Sequence, residues 1–183
     1  MKTLLQSILS GLAVVGLVVV ARAQLAPAVQ EKVDAEIAAA QALAADPVIV
    51  EAVRGYNTAP PGEARAMTQE TWKRRTLLDP FVRGLSRNPA SLALMGAKSA
   101  FVTEAFVSGG DGGKVAFLAK PSHWSHRGNA KHDRPMRGDL WQGMVETDES
   151  TGLHQIQVAV PVLDAGVPIG SLVVGLSLSK MGD

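Results

Sequence analysis

Two apolar runs near the end of the chain, His154–Leu163 and Ile169–Leu178, are rich in Val, Ile and Leu. Over residues 154–160, Gln155, Gln157 and Ala159 share one parity and Ile156, Val158 and Val160 the other. A period of two sends these sets to opposite faces of an extended chain, so the segment reads as a half-buried strand. Asp164-Ala165-Gly166-Val167-Pro168 lies between the runs, with residues that tolerate positive φ and a proline that fixes it. The pattern predicts an antiparallel hairpin, the last of a small sheet, with the remaining chain supplying a helical cover and a pocket.

Upstream, Phe101–Val107 and Val115–Ala119 read as the first two strands, joined by the glycine-rich turn Ser108–Gly113. The second is too uniformly apolar to show which face is inside. Leu140–Thr147 reads as a middle strand, while Pro121–Gly138 has no period and is crowded with polar and aromatic groups. The first half follows a helical spacing. In Leu25–Ala45, Val29, Val33, Ile37 and Ala40 recur on one face, and Pro27 sits where a first turn tolerates it. Asp46-Pro47 fits an N-cap and first helical residue, starting a second helix through about Tyr56. After a loop at Asn57–Gly62, a third helix is predicted from Thr68 through a run holding Trp72, Leu77 and Leu78, with Asp79-Pro80 ending or kinking it. Its basic triplet Lys73, Arg74 and Arg75 reads as a solvated face. Arg87-Asn88-Pro89 breaks the chain again before a short turn or helix at Ser91–Ala97. Helices first, then hairpin-joined strands, argue for an α+β fold with an antiparallel sheet. Residues 24–183 read as one domain, mainly helical over 24–97 and mainly sheet over 98–183.

The chain has 183 residues, a formal net charge of +1 and no cysteine. The charge gives no overall basic field that points to nucleic acid or an anionic surface. The missing thiol excludes disulfides, thiolate metal sites and a cysteine nucleophile. Lys2, an apolar stretch Leu4–Val20 and the small-x-small run Ala21-Arg22-Ala23 have the layout of a signal peptide, cleaved before Gln24. The alternative is an N-terminal membrane anchor, which wants about 20 apolar residues where this run is shorter and interrupted. The expected location is therefore periplasmic or secreted.

Candidate chemistry concentrates in Lys120–Trp141, which holds Trp124, Trp141, His123, His126, His132, Lys120, Arg127 and further cations. Aromatic walls with a few placed polar groups suit a small-molecule pocket, and the cation excess suits an anionic group such as a carboxylate. The bland reading is a solvated loop over the sheet. His123, His126, His132 and Asp133 also invite a metal, but Pro121, Gly128 and Pro135 make the segment irregular and no HExxH pattern exists. No nucleophile elbow or Ser-x-x-Lys pair is present, so catalysis is unsupported.

Three segments together, AADPVIVEAVRGYN, KSAFVTEAFVSGGDGGKVAFLAK and DESTGLHQIQVAVPVLDAGVPIGSLVVGLSL, resemble the Cache sensor domains, PAS-like extracellular ligand-binding modules also called PDC sensors. The resemblance is loose over residues 25–97 and good over 98–178. It implies a long N-terminal helix beside a five-stranded antiparallel sheet, with a small molecule held between the sheet and its covering loops. It also implies that the acid at Asp148 faces the pocket and accepts a bond from a ligand amine; as plain turn chemistry, Asp-Glu-Ser-Thr-Gly would cap backbone amides. Where many relatives carry a Tyr-Trp-Gln-Gly-Asp-Glu type segment, this chain has Lys120–Gly128, so the usual acidic contacts are not all present. Most relatives sit between membrane helices of receptors or kinases, whereas the expectation here is a free-standing periplasmic form.

The expected function is a non-catalytic sensor of an anionic or zwitterionic metabolite, acting through an envelope or membrane signalling partner, without a cofactor. Phe117, Lys120, His123, Trp124, His126, Trp141 and Asp148 are the expected ligand-binding residues. Two rivals are a metal-dependent periplasmic enzyme using the histidine loop, and a structural module that dimerises through its Ala-rich N-terminal helix.

Overall fold

Helix caps written into the sequence set the first half of the molecule. In the computed structural model, which describes residues 25–147 and 154–182, α1 spans Pro27–Ala44 and α2 spans Pro47–Thr58. Asp46 caps α2, its carboxylate accepting from the Val48 amide at 2.8 Å. That bond satisfies one of the free amides at the helix start, and Pro47 has none to satisfy. A single turn, α3 (Gly62–Arg65), leads to α4 (Gln69–Arg74), capped by Thr68. The third helix is shorter than the apolar run suggested: it stops at Arg74 and leaves Leu77 and Leu78 59% and 82% exposed. Asp79-Pro80 does not merely end it but opens a further helix, α5 (Pro80–Arg87), with the Asp79 carboxylate accepting from the Phe81 and Val82 amides. The Asp-Pro pair works as it does at residues 46–47. Asn88-Pro89 repeats the device for α6 (Pro89–Gly96).

The sheet contains β1 (Val102–Gly109), β2 (Lys114–Phe117), β3 (Trp141–Gln142), β4 (Glu146–Thr147), β5 (His154–Asp164) and β6 (Val167–Ser177). Every pairing is antiparallel, in the order β2-β1-β6-β5-β3, with β4 also on β5. β3 and β4 share one edge of β5, so the sheet has five strand positions, the last interrupted at residues 143–145. The segment expected as a middle strand is thus an edge in two pieces. The Trp141 indole folds back over Gly143, where a Cβ would lie 2.8 Å from the ring, and Gly143 still donates to the Gln157 carbonyl. The β5–β6 hairpin forms as expected, turning through Ala165 at φ 47° and Gly166 at φ 83°. Between β2 and β3 the chain makes α7 (Ala130–Asp133) and a 3-10 turn at Pro135–Arg137; α8 (Leu178–Met181) follows β6.

The two faces of the sheet are covered differently. A Cβ at Gly109 would strike the Tyr56 ring of α2, and one at Gly170 would strike Val53, so these positions face the helices. Their neighbours Ser108 and Ser171, paired across β1 and β6, point to the opposite face, beneath residues 118–140. Among the described residues no helix is long and apolar enough to cross a membrane. The expected leader, residues 1–23, and Asp148 lie outside the described residues.

Candidate ligand site beneath the loop

The segment after β2 is tied down at several points. The Trp72 indole N–H donates to the Pro121 carbonyl at 2.7 Å, and Gln69 brackets the chain by donating to the Ser122 carbonyl and accepting from the Trp124 amide, both at 2.9 Å. Trp124 then packs on Trp72 and Phe81, with ring centroids 5.1 and 5.8 Å apart. Further on, the Ser125 hydroxyl donates to the Asp111 carbonyl and the His126 amide to the Gly112 carbonyl, which fastens the loop to the β1–β2 turn. The loop is a lid folded onto the sheet, not a solvated excursion.

Under that lid the sheet presents polar groups. Lys114 opens β2 with its side chain completely buried. Its ammonium donates to the Ser108 hydroxyl and the Gly112 carbonyl, each at 3.1 Å, and to His126 Nδ1 at 2.9 Å. It also lies 4.9 Å from the centre of the Phe106 ring, on which the His126 imidazole stacks at 4.9 Å. His132, carried in by α7, meets the Ser171 hydroxyl through Nδ1 at 2.8 Å. The neighbouring Lys131 reaches Gln157 Oε1 at 2.6 Å, and the Gln157 amide bonds the Glu104 carboxylate.

Burial controls the charges here. Lys114 is pushed down to about 7, first by loss of solvent and then by the cation of Lys131, with Asp111 opposing. His126 is pushed down to about 3 by burial and then by Lys114 and Lys131. His132 and Lys131 are also lowered by burial. Because His126 stays neutral, its Nδ1 can accept from the lysine. Among the described residues no carboxylate forms an ion pair with Lys114. A buried cation served only by neutral acceptors is the arrangement an incoming anion would complete.

The structure divides the expected site residues. Phe117 is fully buried and meets Trp72 edge-on at 6.1 Å, as part of the lid's support. Lys120 rests its ammonium over the Trp72 ring at 4.4 Å, so it flanks the same aromatic group. Trp124 belongs to that group as well, 6% exposed. Of the six that are described, His126 is the one joined directly to the polar cluster; His123 is exposed, bonded to the Ser122 hydroxyl, with its ring 5.8 Å from that of His126. Trp141 is half-buried on β3, in register with Ala159. The three loop histidines have separate partners, and no group of His, Asp and Glu side chains among the described residues is placed to hold a metal.

Sequence reasoning missed Lys114, Ser108 and Ser171. Their signal was faint: isolated small or charged polar residues beside apolar ones, which a period of two assigns to a face without telling which face is covered. A cleft of about 690 Å³ lies on the helix side, between α2, α6 and Val115, but its lining is apolar with Glu51 as its one ionisable carboxylate. That chemistry does not answer to an anion.

No protein-family model matches the chain, and no curated protein does so either. Among solved structures, the sensor domain of the V. cholerae histidine kinase DctB is similar at 15% identity and a TM-score of 0.50, over 84% of this chain and 53% of that one. The ligand-binding domains of the Pseudomonas aeruginosa amino acid chemoreceptor PctC, solved with GABA, and of the Pseudomonas fluorescens chemoreceptor CtaA, solved with L-alanine, have TM-scores of 0.45 and 0.44. Each is 16% identical over 84% of this chain, covering 60% and 55% of its own length. The chain spans about half the length of the DctB sensor domain. It shares that domain's fold, which is the helix-covered antiparallel sheet of Cache type that the sequence resemblance implied.

Proposed function

We propose that this chain is an extracytoplasmic sensor module that binds a small carboxylate between the sheet and the loop 118–140 and reports it to a signalling protein of the envelope or membrane. The carrying observation is Lys114, fully buried beneath the lid with Ser108, His126 and the Gly112 carbonyl as its only hydrogen-bond partners among the described residues. A ligand carboxylate entering there would give the ammonium an opposite charge in place of neutral acceptors, a pairing that burial away from water strengthens. His132 and Ser171 stand ready as further polar contacts, and Phe106 as an apolar wall. The ligand is an anionic metabolite, or a zwitterionic one whose carboxylate takes this place; Asp148 is the proposed partner for an amine. The shared fold with a histidine-kinase sensor domain supports the role.

The test is thermal unfolding in the presence of mono- and dicarboxylates and amino acids. Ligand at a hundredfold excess over Kd stabilises the folded state by about 2.7 kcal/mol, which a melting curve registers readily. A saturable shift from at least one carboxylate, lost in a folded Lys114→Met variant, is the expected result. Silence across every class, or an equal shift in the variant, would remove the proposal.

A further inference from the structure

A second surface, away from the loop site, combines exposed leucines with cations that form no ion pair among the described residues. The connection between α4 and α5 leaves Leu77 and Leu78 in solvent, and α6 turns Leu92 and Met95 outward at 57% and 58% exposure. Leu77, Leu92 and Met95 share a cleft of about 620 Å³ with Leu118, and Arg83 and Arg87 stand on it one helical turn apart. Isolated exposed apolar residues are ordinary, but a contiguous group of this kind marks an interaction site.

The charge around it is one-sided. Residues 71–98 contain Lys73, Arg74, Arg75, Arg83, Arg87 and Lys98 against the single acid Asp79, in a chain whose overall net charge is only +1. Arg75 satisfies that acid at 3.0 Å and takes Glu63 as well at 2.5 Å. Glu70, one turn before Lys73 and Arg74, is the nearest remaining carboxylate on α4. Among the described residues no ion pair engages Lys73, Arg74, Arg83 or Arg87. In the chain, two of these cations precede Leu77 and Leu78, and two lie between them and Leu92.

We infer that Leu77, Leu78, Leu92 and Met95, with Arg83 and Arg87 on the same cleft and Lys73 and Arg74 just before Leu77 in the chain, dock the domain on an anionic lipid bilayer. Apolar side chains at the tip of a turn enter the acyl boundary while flanking cations meet the headgroups, and both contributions are needed for stable surface binding. An acidic protein surface would offer the charge but would need its own apolar counterpart.

The chain has no cysteine, so one label can be placed at will. An environment-sensitive fluorophore on Leu78→Cys is compared with one on Val167→Cys, an exposed position at the opposite end of the strands. The full chain is mixed with phosphatidylcholine vesicles with and without phosphatidylglycerol. The expected result is a blue shift and protection from aqueous iodide at position 78 only, on anionic vesicles only. Raised salt and the pair Arg83→Glu and Arg87→Glu should each abolish it, with an unchanged unfolding midpoint showing that the variant is folded. Because the readout is local, attachment through the N-terminal segment alone leaves position 78 in water. Iodide access undiminished on anionic vesicles overturns the inference, as does equal protection on neutral lipid or at position 167. Protection by an acidic amphipathic peptide but not by vesicles overturns it in favour of a protein partner.

Discussion

The two faces of one sheet are packed with opposite chemistry. Against α1 and α2, Val158, Val160, Leu172, Val174 and Leu176 meet Val33, Ile49 and Val53, all of them buried and apolar. Against the loop, β1, β2 and β6 bury Lys114, Ser108 and Ser171 with His126 and His132, beside the apolar Phe106 and Val173. Buried polar groups lower stability unless each finds a partner. The helix face gains from every group it hides; the loop face hides groups that gain most when a further molecule arrives. On the proposed function, stability and recognition fall to separate layers, with the strands as the shared wall.

The largest effect should come from cutting the lid's anchor. Trp72→Ala removes a fully buried indole, its contacts with Phe117 and Trp124 and its bond to the Pro121 carbonyl. A loss of about 3–5 kcal/mol is expected in denaturant titration, together with a weakened response to carboxylate, since the loop loses its hold. Ile49→Ala on α2 is the matched change on the other face. It empties a fully buried position and should cost about 2–5 kcal/mol, but leave ligand affinity, measured by calorimetry below the melting range, as it was. If both substitutions reduce affinity alike, the division of labour is wrong.

How far the sequence revealed this arrangement follows the same line. The hairpin at residues 154–177 was legible because alternation and a tight turn agree, and α2 because Asp46 and Pro47 form a cap whose chemistry is local. The helix at 80–87 was hidden since its Asp-Pro start resembles a stop when read from the preceding run. Trp124 and His126 could be picked from composition, but their separate duties could not: one braces the lid and the other touches Lys114. Lys114 itself was out of reach, because which cation of a strand is buried depends on a loop packed over it from a dozen residues further on. The fold is written in short-range patterns; the site is written in contacts between segments.

The next prediction uses pH to separate the faces. Lys114 has its ammonium destabilised by burial, with a folded value near 7 against 10.5 for an ordinary lysine. Between these values the unfolded chain binds a proton that the folded one does not, so stability should rise with pH from about 7 towards 10.5. The slope approaches about 1.4 kcal/mol per pH unit. Carboxylate affinity should move the other way, falling as pH climbs above 7, because the anion needs the ammonium. Lys114→Met should flatten the stability slope in that window. At the acid end His126, held near 3, makes stability drop as pH falls from about 6.5 towards 3. Parallel stability and affinity curves above neutral pH would mean that Lys114 is not the anion's partner.

The smallest effect tests whether the helix face is as passive as this division requires. Asp46→Ala removes the cap on the Val48 amide and should cost about 1 kcal/mol. The loss would fray only the first turn of α2, well before Tyr56 and Asn57. Those two residues hold the β1–β2 turn, Tyr56 through its bond to the Asp111 carboxylate at 3.1 Å and Asn57 by accepting from the Gly110 amide at 2.9 Å. That turn in turn supplies the Gly112 carbonyl bound by Lys114. If α2 is simply a support, the melting midpoint falls while the shift produced by saturating carboxylate keeps its size. If the shift shrinks as well, the disturbance has travelled from Asp46 along α2 to Tyr56 and Asp111. The helix would then be the route by which ligand beneath the loop is felt on the far side of the sheet.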